Sequence, residues 1–261
     1  MAIKGCTNDL LKTLGLLNVD GKYNNAAALL SDKNEFPGID MIKFGSTINE
    51  IMYRNSITNV SVLEQLNRAE KIFKNYYMIE EIRGMKREKK FLVPLEAFRE
   101  TVANALVHRT WDVNSNIRIA MYDDKIEVYS PGGLPAGLNE EEYINGFVSY
   151  LRNPIIANVF FRLDIIEKFG TGIMRIKESY REIKHQPVFE VQENSIMTIL
   201  PSVTKRALLT VDEQVILDHL SGGMILASSD LSLATGFGKD KVVNLLNALI
   251  EKQYVKKIGS G

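Results

Sequence analysis

The stretch from Phe91 to Ile173 constrains the fold of this 261-residue chain most. It opens on PLEAFRETVANALVHRTW, where Leu95, Phe98, Val102, Ala105 and Leu106 recur at helical spacing and define an apolar face. NIRIAMY and KIEVYS follow as two short strands joined across an Asp123-Asp124 turn. Next comes SPGGLPAGL, a run whose backbone must bend sharply. IEKFGTGIMRI closes the stretch with a Gly-rich turn that opens another helix. A helix with a polar stripe, a Gly turn after a strand and a Gly turn before a helix together suggest a nucleotide pocket, although none is specific alone.

Glu100, Asn104 and His108 fall at i, i+4 and i+8 and form one stripe away from the apolar face. Ala97, Ala103 and Val107 flank the stripe, so it is expected to face something other than bulk water. A carboxylate there can act as a general base or hold a water, and an amide oxygen can ligate Mg²⁺. The plain alternative is an acidic residue favouring the helix dipole and an asparagine exposed by chance. Gly132 and Gly133 follow a strand, where glycine permits positive φ or a close ligand approach. Gly170, Thr171 and Gly172 precede a helix start, whose free N–H groups can hold phosphate. Two ordinary turns are the alternative.

The order of these parts resembles the Bergerat-type (GHKL) ATP site shared by gyrases, histidine kinases and MutL. PLEAFRETVANALVHR, DDKIEVYSPGGLP, LRNPIIANVFF and IEKFGTGIMRI look more closely like the RecG-C-terminal-like ATPase domain of helix-turn-helix transcriptional regulators. The resemblance covers roughly Leu11 to Pro201. It implies that Glu100 is the catalytic carboxylate, that Asn104 binds Mg²⁺, and that His108 lies further along the same site. It also implies that Ser130, Gly132 and Gly133 sit at the adenine turn, and Gly170, Thr171 and Gly172 at the phosphate turn. The superfamily places an Asp before the first Gly turn; Tyr129-Ser130-Pro131 stands there instead. No G-x-x-x-x-G-K-[ST] loop occurs, so a P-loop helicase motor is absent.

Net charge is zero, so any nucleic-acid contact must rest on a local basic patch. One cysteine, Cys6, excludes an internal disulfide and a multi-Cys zinc site, and a reducing cytoplasm is the natural compartment. No apolar run approaches the roughly 18 residues of a membrane helix, and no signal peptide is visible.

Residues 1–90 lack a catalytic constellation. LLKTLGLLN reads as a short helix ending near Gly15 or Asn18, AAALLS as a buried strand or helix, and GIDMIKFGS and NEIMYRNSIT as strands. Asn59 to Tyr77 reads as a helix with Val62, Leu66, Ala69, Ile72 and Phe73 inward, and EIRGMKREKKFLV as a charged turn. Lys86, Arg87, Lys89 and Lys90 in that turn read as a solvated hairpin end. The resembling proteins often carry a Schlafen-like domain ahead of this region; none is seen, so the chain reads as part of a longer protein or a shortened relative. Pro154 starts a helix, and Arg152 ahead of it reads as a phosphate contact or a salt bridge. Gly172 to Ile183 reads as a helix, and VFEVQE and SIMTILP as a hairpin around Glu193-Asn194.

PSVTKRA, 201–207, reads as a linker. Beyond it VDEQVILDHL, DLSLATGF capped by Ser228-Ser229-Asp230, and KDKVVNLLNALIEK read as three helices, and QYVKKIG as the start of a strand. This resembles a winged helix-turn-helix. It would place Lys239, Lys241, Asn244 and Asn247 in the major groove and Lys256 and Lys257 on phosphate; protein contact or dimerisation is the alternative use.

The expectation is therefore an α+β chain: a Bergerat-like α/β sandwich with a mixed sheet and a small C-terminal winged helix. Its parts are an N-terminal region (1–90), an ATPase-like domain (91–201) and the winged helix (208–261). The predicted function is a cytoplasmic, DNA-binding transcriptional regulator that binds ATP and Mg²⁺, has at most a weak ATPase activity, and acts as a homodimer on double-stranded DNA. The alternative is a non-hydrolysing scaffold used for dimerisation and protein contacts.

Overall fold

The computed structural model describes residues 7–84, 86–145, 150–167, 170–203, 210–220, 224–251 and 254–258. Two compact units divide between Ser202 and Val203. Cys6 and most of the 201–207 linker lie outside the described residues.

The first unit is built on a six-stranded sheet ordered β2-β1-β5-β6-β8-β7, made of β1 (Ile39–Phe44), β2 (Ile51–Ile57), β5 (Ile117–Met121), β6 (Lys125–Pro131), β7 (Val188–Gln192) and β8 (Ser195–Pro201). β1 and β5 run parallel and every other pair is antiparallel, so the sheet is mixed. Residues 1–90 and 91–201 thus share one sheet. Alternation along the strands puts Ile39, Met41, Ile117, Ile119, Ile126, Val128 and Leu200 on the buried face, each at most 1% exposed. That face is covered by helices, among them α3 (Val62–Tyr77) and α4 (Leu95–His108).

Helix α3 begins one residue after Ser61, whose side chain accepts the Glu64 N–H, rather than at Asn59, which holds a positive φ of 58°. Its apolar stripe meets α4 through Phe73, which stacks on Phe98 at 4.2 Å between centroids. Burying a side chain of that size contributes about 1.5–3 kcal/mol. Glu64 and Arg68 pair on its outer face at 2.7 Å. The first two helices, α1 (Asn8–Thr13) and α2 (Asn25–Leu30), are capped by Thr7 and Asn24.

The charged segment before Val93 is more than a turn. It forms a separate hairpin of β3 (Met78–Arg83) and β4 (Lys86–Phe91), bent at Gly84 with φ of 59°. Its basic residues face an acidic partner strand: Lys90 meets Glu81 at 2.5 Å and Arg87 meets Glu80 at 3.9 Å. Two of the four basic residues thus have acidic partners within the hairpin.

Three further helices complete the unit: α5 (Glu140–Asn145), α6 (Pro154–Arg162) and α7 (Gly172–Ser179). α6 starts on Pro154 as expected, while α7 stops short of Ile183. No helix among the described residues is long and apolar enough to cross a membrane.

The second unit holds α8 (Val211–His219), α9 (Ser228–Thr235) and α10 (Lys239–Glu251) around Ile216, Leu231, Val242 and Leu249. Thr210 and Glu213 form a reciprocal cap on α8 at 3.2 and 2.7 Å. α9 begins earlier than expected: Ser228 is already helical, and Asp230 accepts the Ala227 N–H from inside the first turn. Gly236 ends α9 with φ of 73°. Residues 254–258 are not a strand, so no wing strand is present among the described residues of this unit.

Candidate functional site

Helix α4 is buried on nearly all sides, so its polar stripe cannot face water. Glu100 is 7% exposed, and Asn104 and His108 are half-buried. What covers them is the start of α7. A Cβ added to Gly172 would collide with Glu100 Oε1 and lie 2.7 Å from Asn104 Nδ2. Without a Cβ at Gly172 the α7 backbone lies against the ends of both side chains, and any larger residue there would have to push them aside.

Burial holds the Glu100 carboxyl above its usual range; Arg175 and Arg99 oppose this, and Glu96 and Glu167 add to it. Arg175 is itself engaged by Glu167 at 2.8 Å. Burial, helped by the Arg152 charge, pushes His108 down to about 4. At neutral pH His108 is therefore an uncharged donor and acceptor.

The C-terminus of α4 lacks a glycine cap, and its last carbonyls are satisfied from a distant segment. Asn153 Nδ2 donates to Val107 O at 2.7 Å and to Arg109 O at 2.9 Å. Arg152 Nη1 donates to His108 O at 3.1 Å and to Thr110 Oγ1 at 2.8 Å, and its Nη2 donates to Gly133 O at 2.7 Å. Among the described residues Arg152 makes no carboxylate bridge, and its donors bind the helix end to the Gly132-Gly133 turn. A cation there also opposes the negative end of the helix dipole.

The two glycines of that turn are explained by the protein's own groups. Gly132 has φ of 102°, and a Cβ on it would strike Thr110 Oγ1 and lie 2.6 Å from Arg152 Nη1. A Cβ on Gly133 would strike Glu193 O and lie 2.8 Å from Gln192 O. Ser130 is buried and donates to Ala105 O at 3.3 Å, so it ties β6 to α4. Gly170 has φ of 68°.

Glu100, Asn104 and His108 nonetheless meet Gly133, Gly170 and Gly172 around one cavity of about 80 Å³. Tyr143, Leu138, Ile166 and Ile173 close its apolar side, and burial raises the Tyr143 hydroxyl to about 12. Ser130, Gly132 and Thr171 do not line it. The donor set suits a Mg²⁺-nucleotide: an amide oxygen, a carboxylate and a helix start. The space does not. Nucleotide-sized pockets occupy about 300–1,000 Å³, and this one holds two or three waters at about 30 Å³ each. A triphosphate fits only if α7 separates from α4. A wider open groove of about 1,020 Å³ lies beside α1, α2 and α3, and none of the predicted site residues lines it.

Sequence reasoning missed Arg109, which is fully buried. It donates to Ser115 O at 2.7 Å and Val113 O at 3.2 Å and lies 4.3 Å over the Trp111 ring. Burial lowers it to about 10. Its only signal was its place directly after the stripe, in HRTW.

In the second unit Lys239, Asn244 and Asn247 are exposed on α10. Lys241 is engaged within the unit, paired with Asp212 at 2.8 Å and 4.1 Å from the Phe237 ring centre. Lys256 and Lys257 are exposed but lie outside any strand.

Comparison with known proteins bears on part of this arrangement. Residues 114–200 match the family described as "Putative ATP-dependent DNA helicase recG C-terminal". That RecG-C-terminal-like segment runs from β5 to β8, so Glu100, Asn104 and His108 precede it. No curated protein matches the chain. In fold the chain is similar to the DIP2311 protein from Corynebacterium diphtheriae, with a TM-score of 0.66 and 23% identity. The similarity covers 95% of this chain and 54% of that one, so this chain spans about half the length of its structural neighbour.

His108 gives the site a pH signature. Its folded value of about 4 lies below the ordinary 6.5, so the unfolded chain binds more protons between those limits. Stability is expected to fall as pH drops from 6.5 towards 4, by up to about 3 kcal/mol from this group. Glu100, held above its usual range, acts with the opposite sign, costing stability as pH rises through its folded value. Urea unfolding across this range should show a shallower acid loss in His108→Gln; an unchanged slope would remove His108 as its source.

Proposed function

We propose that the first unit is a nucleotide-binding regulatory domain of the RecG-C-terminal-like ATPase type, and that the second carries a DNA-contact helix. The reading rests on one observation: the α4 stripe and the two glycine turns meet around a single cavity although they lie far apart in sequence. Asn104 would hold Mg²⁺, the N–H groups at Gly170–Gly172 would meet phosphate, and Glu100 and His108 would hold a water beside it. Binding would require α7 to leave α4. On this reading the chain is a cytoplasmic transcriptional regulator that works as a dimer.

A second reading has its own support. With Gly172 seated on Glu100 and Asn104 and a cavity of about 80 Å³, the fold also serves as a closed, non-hydrolysing scaffold.

The melting temperature separates the two. ATP–Mg²⁺ at about 100 times Kd should stabilise the protein by roughly 2.7 kcal/mol. Asn104→Ala should reduce that shift, and Glu100→Ala should keep it while lowering any phosphate release by roughly 10²–10⁴-fold. No shift at saturating nucleotide would leave the scaffold.

DNA contact would rest on Lys239, Asn244 and Asn247 of α10, with Lys256 and Lys257 on phosphate. Few phosphate contacts mean a shallow salt dependence, each worth about −0.9 in the slope of log affinity against log salt. In the full chain, Lys256→Ala with Lys257→Ala should flatten the slope by about 2. Unchanged affinity and slope on duplex DNA would put the binding surface elsewhere.

A further inference from the structure

Among the described residues the sheet of the first unit ends on two edge strands, β2 and β7. β7 is guarded in the usual ways: it is five residues long, follows Pro187 and carries Glu190 at its centre. β2 is seven residues long and contains no proline, lysine or acidic residue. Its Ile51 and Met52 are 52% and 66% exposed. Its only guards are the charge of Arg54 and an irregularity near Met52, so the stretch Tyr53–Ile57 is a template for another strand.

The direction of its free hydrogen-bonding groups follows from its neighbour. Gly38, just ahead of β1, gives both its N–H and its C=O towards β5, to Asn116 Oδ1 at 2.8 Å and from Ile117 N at 2.9 Å. By alternation Ile39, Met41 and Lys43 turn their backbone groups to β2, where they face Ile57, Asn55 and Tyr53. Arg54 and Ser56 therefore point N–H and C=O outwards. The pairing jumps from Lys43–Tyr53 to Phe44–Ile51, so Met52 is the extra residue of a bulge, and the regular ladder is Tyr53–Ile57.

We propose that this edge pairs with the same edge of a second copy, antiparallel and centred on Asn55, to make a two-fold dimer with one continuous sheet. Three other two-fold registers are less favourable, and centring on Ser56 sets Arg54 opposite Thr58, beyond the end of β2. Centring on Arg54 sets two guanidinium groups opposite each other. Centring on Tyr53 runs the ladder through the bulged Met52. Centring on Asn55 places Arg54 opposite Ser56 of the second copy twice, and each such pair exchanges two backbone hydrogen bonds.

Charge supports the same register. Ser56 Oγ donates to Asp40 Oδ1 at 2.6 Å, so the Asp40 carboxylate stands beside Ser56 on the next strand. Among the described residues Arg54 makes no ion pair. Its guanidinium in one copy reaches Asp40 of the other. Pairing like edges closes on two copies, whereas pairing β2 with β7 would continue into a fibre. The contact is small, below about 1,200 Å², so association is weak and concentration-dependent.

The test uses the full chain in a Cys6→Ser background, which removes the single native cysteine. Asn55→Cys should form a covalent dimer on mild oxidation, because residues facing each other across a non-hydrogen-bonded antiparallel pair have Cα atoms about 4.5 Å apart. Tyr53→Cys should not, its two copies lying about 13 Å apart along the strand. Arg54→Pro removes an outward N–H without touching the β1 ladder; it should abolish the concentration-dependent rise in mass by light scattering and keep the monomer's circular dichroism. The proposal is overturned if Asn55→Cys stays monomeric, if Tyr53→Cys cross-links as readily, or if Arg54→Pro associates like the parent.

Discussion

The contact between the Gly172 backbone and the Glu100 and Asn104 side chains is what the arrangement of the first unit depends on. It forces a polar stripe into the interior, because α7 closes over the one face of α4 that its apolar residues leave free. Burial then raises Glu100 and depresses His108, so the two groups reach neutral pH closer to their uncharged forms than exposed side chains would. The residual cavity is small because the contact is close. On the proposed reading, a ligand would have to separate the two helices to reach the site.

The far end of α4 has an equally specific solution. Arg152 and Asn153 supply, from a segment more than 40 residues away, the donors that a local cap would normally provide. Arg152 also grips Gly133 O, so the helix end and the glycine turn are held by one guanidinium. Two walls of the cavity are thereby tied to each other.

Much of the fold was legible in the residues themselves. Period-2 alternation identified the strands of the six-stranded sheet but not the charged β3–β4 hairpin, and the recurrence of Leu95, Phe98, Val102 and Leu106 identified α4. The stripe was legible for the same reason, since i, i+4 spacing shows on a helix without tertiary knowledge. What the stripe faces was not legible. The glycines were read as ligand cradles; Gly132, Gly133 and Gly172 also lie close to Thr110, Glu193 and Glu100 of the chain itself, contacts that exist only once distant segments meet. Arg109, Arg152 and Asn153 bind backbone carbonyls, which leave no complementary residue in the sequence to point at them. Lys241 pairs with Asp212 on another helix, a partner that its place in the sequence did not show. The expected wing strand failed because a short apolar-basic run carries too little pattern to fix its conformation.

The central claim is that α7 covers the α4 stripe and must leave it for a nucleotide to enter. Spin labels at Arg99 on α4 and Met174 on α7, both exposed, measure that separation directly in a Cys6→Ser background. Saturating ATP–Mg²⁺ is expected to shift the distance distribution to longer values, and removing nucleotide to restore the short one. An unchanged distribution with nucleotide bound would contradict the claim.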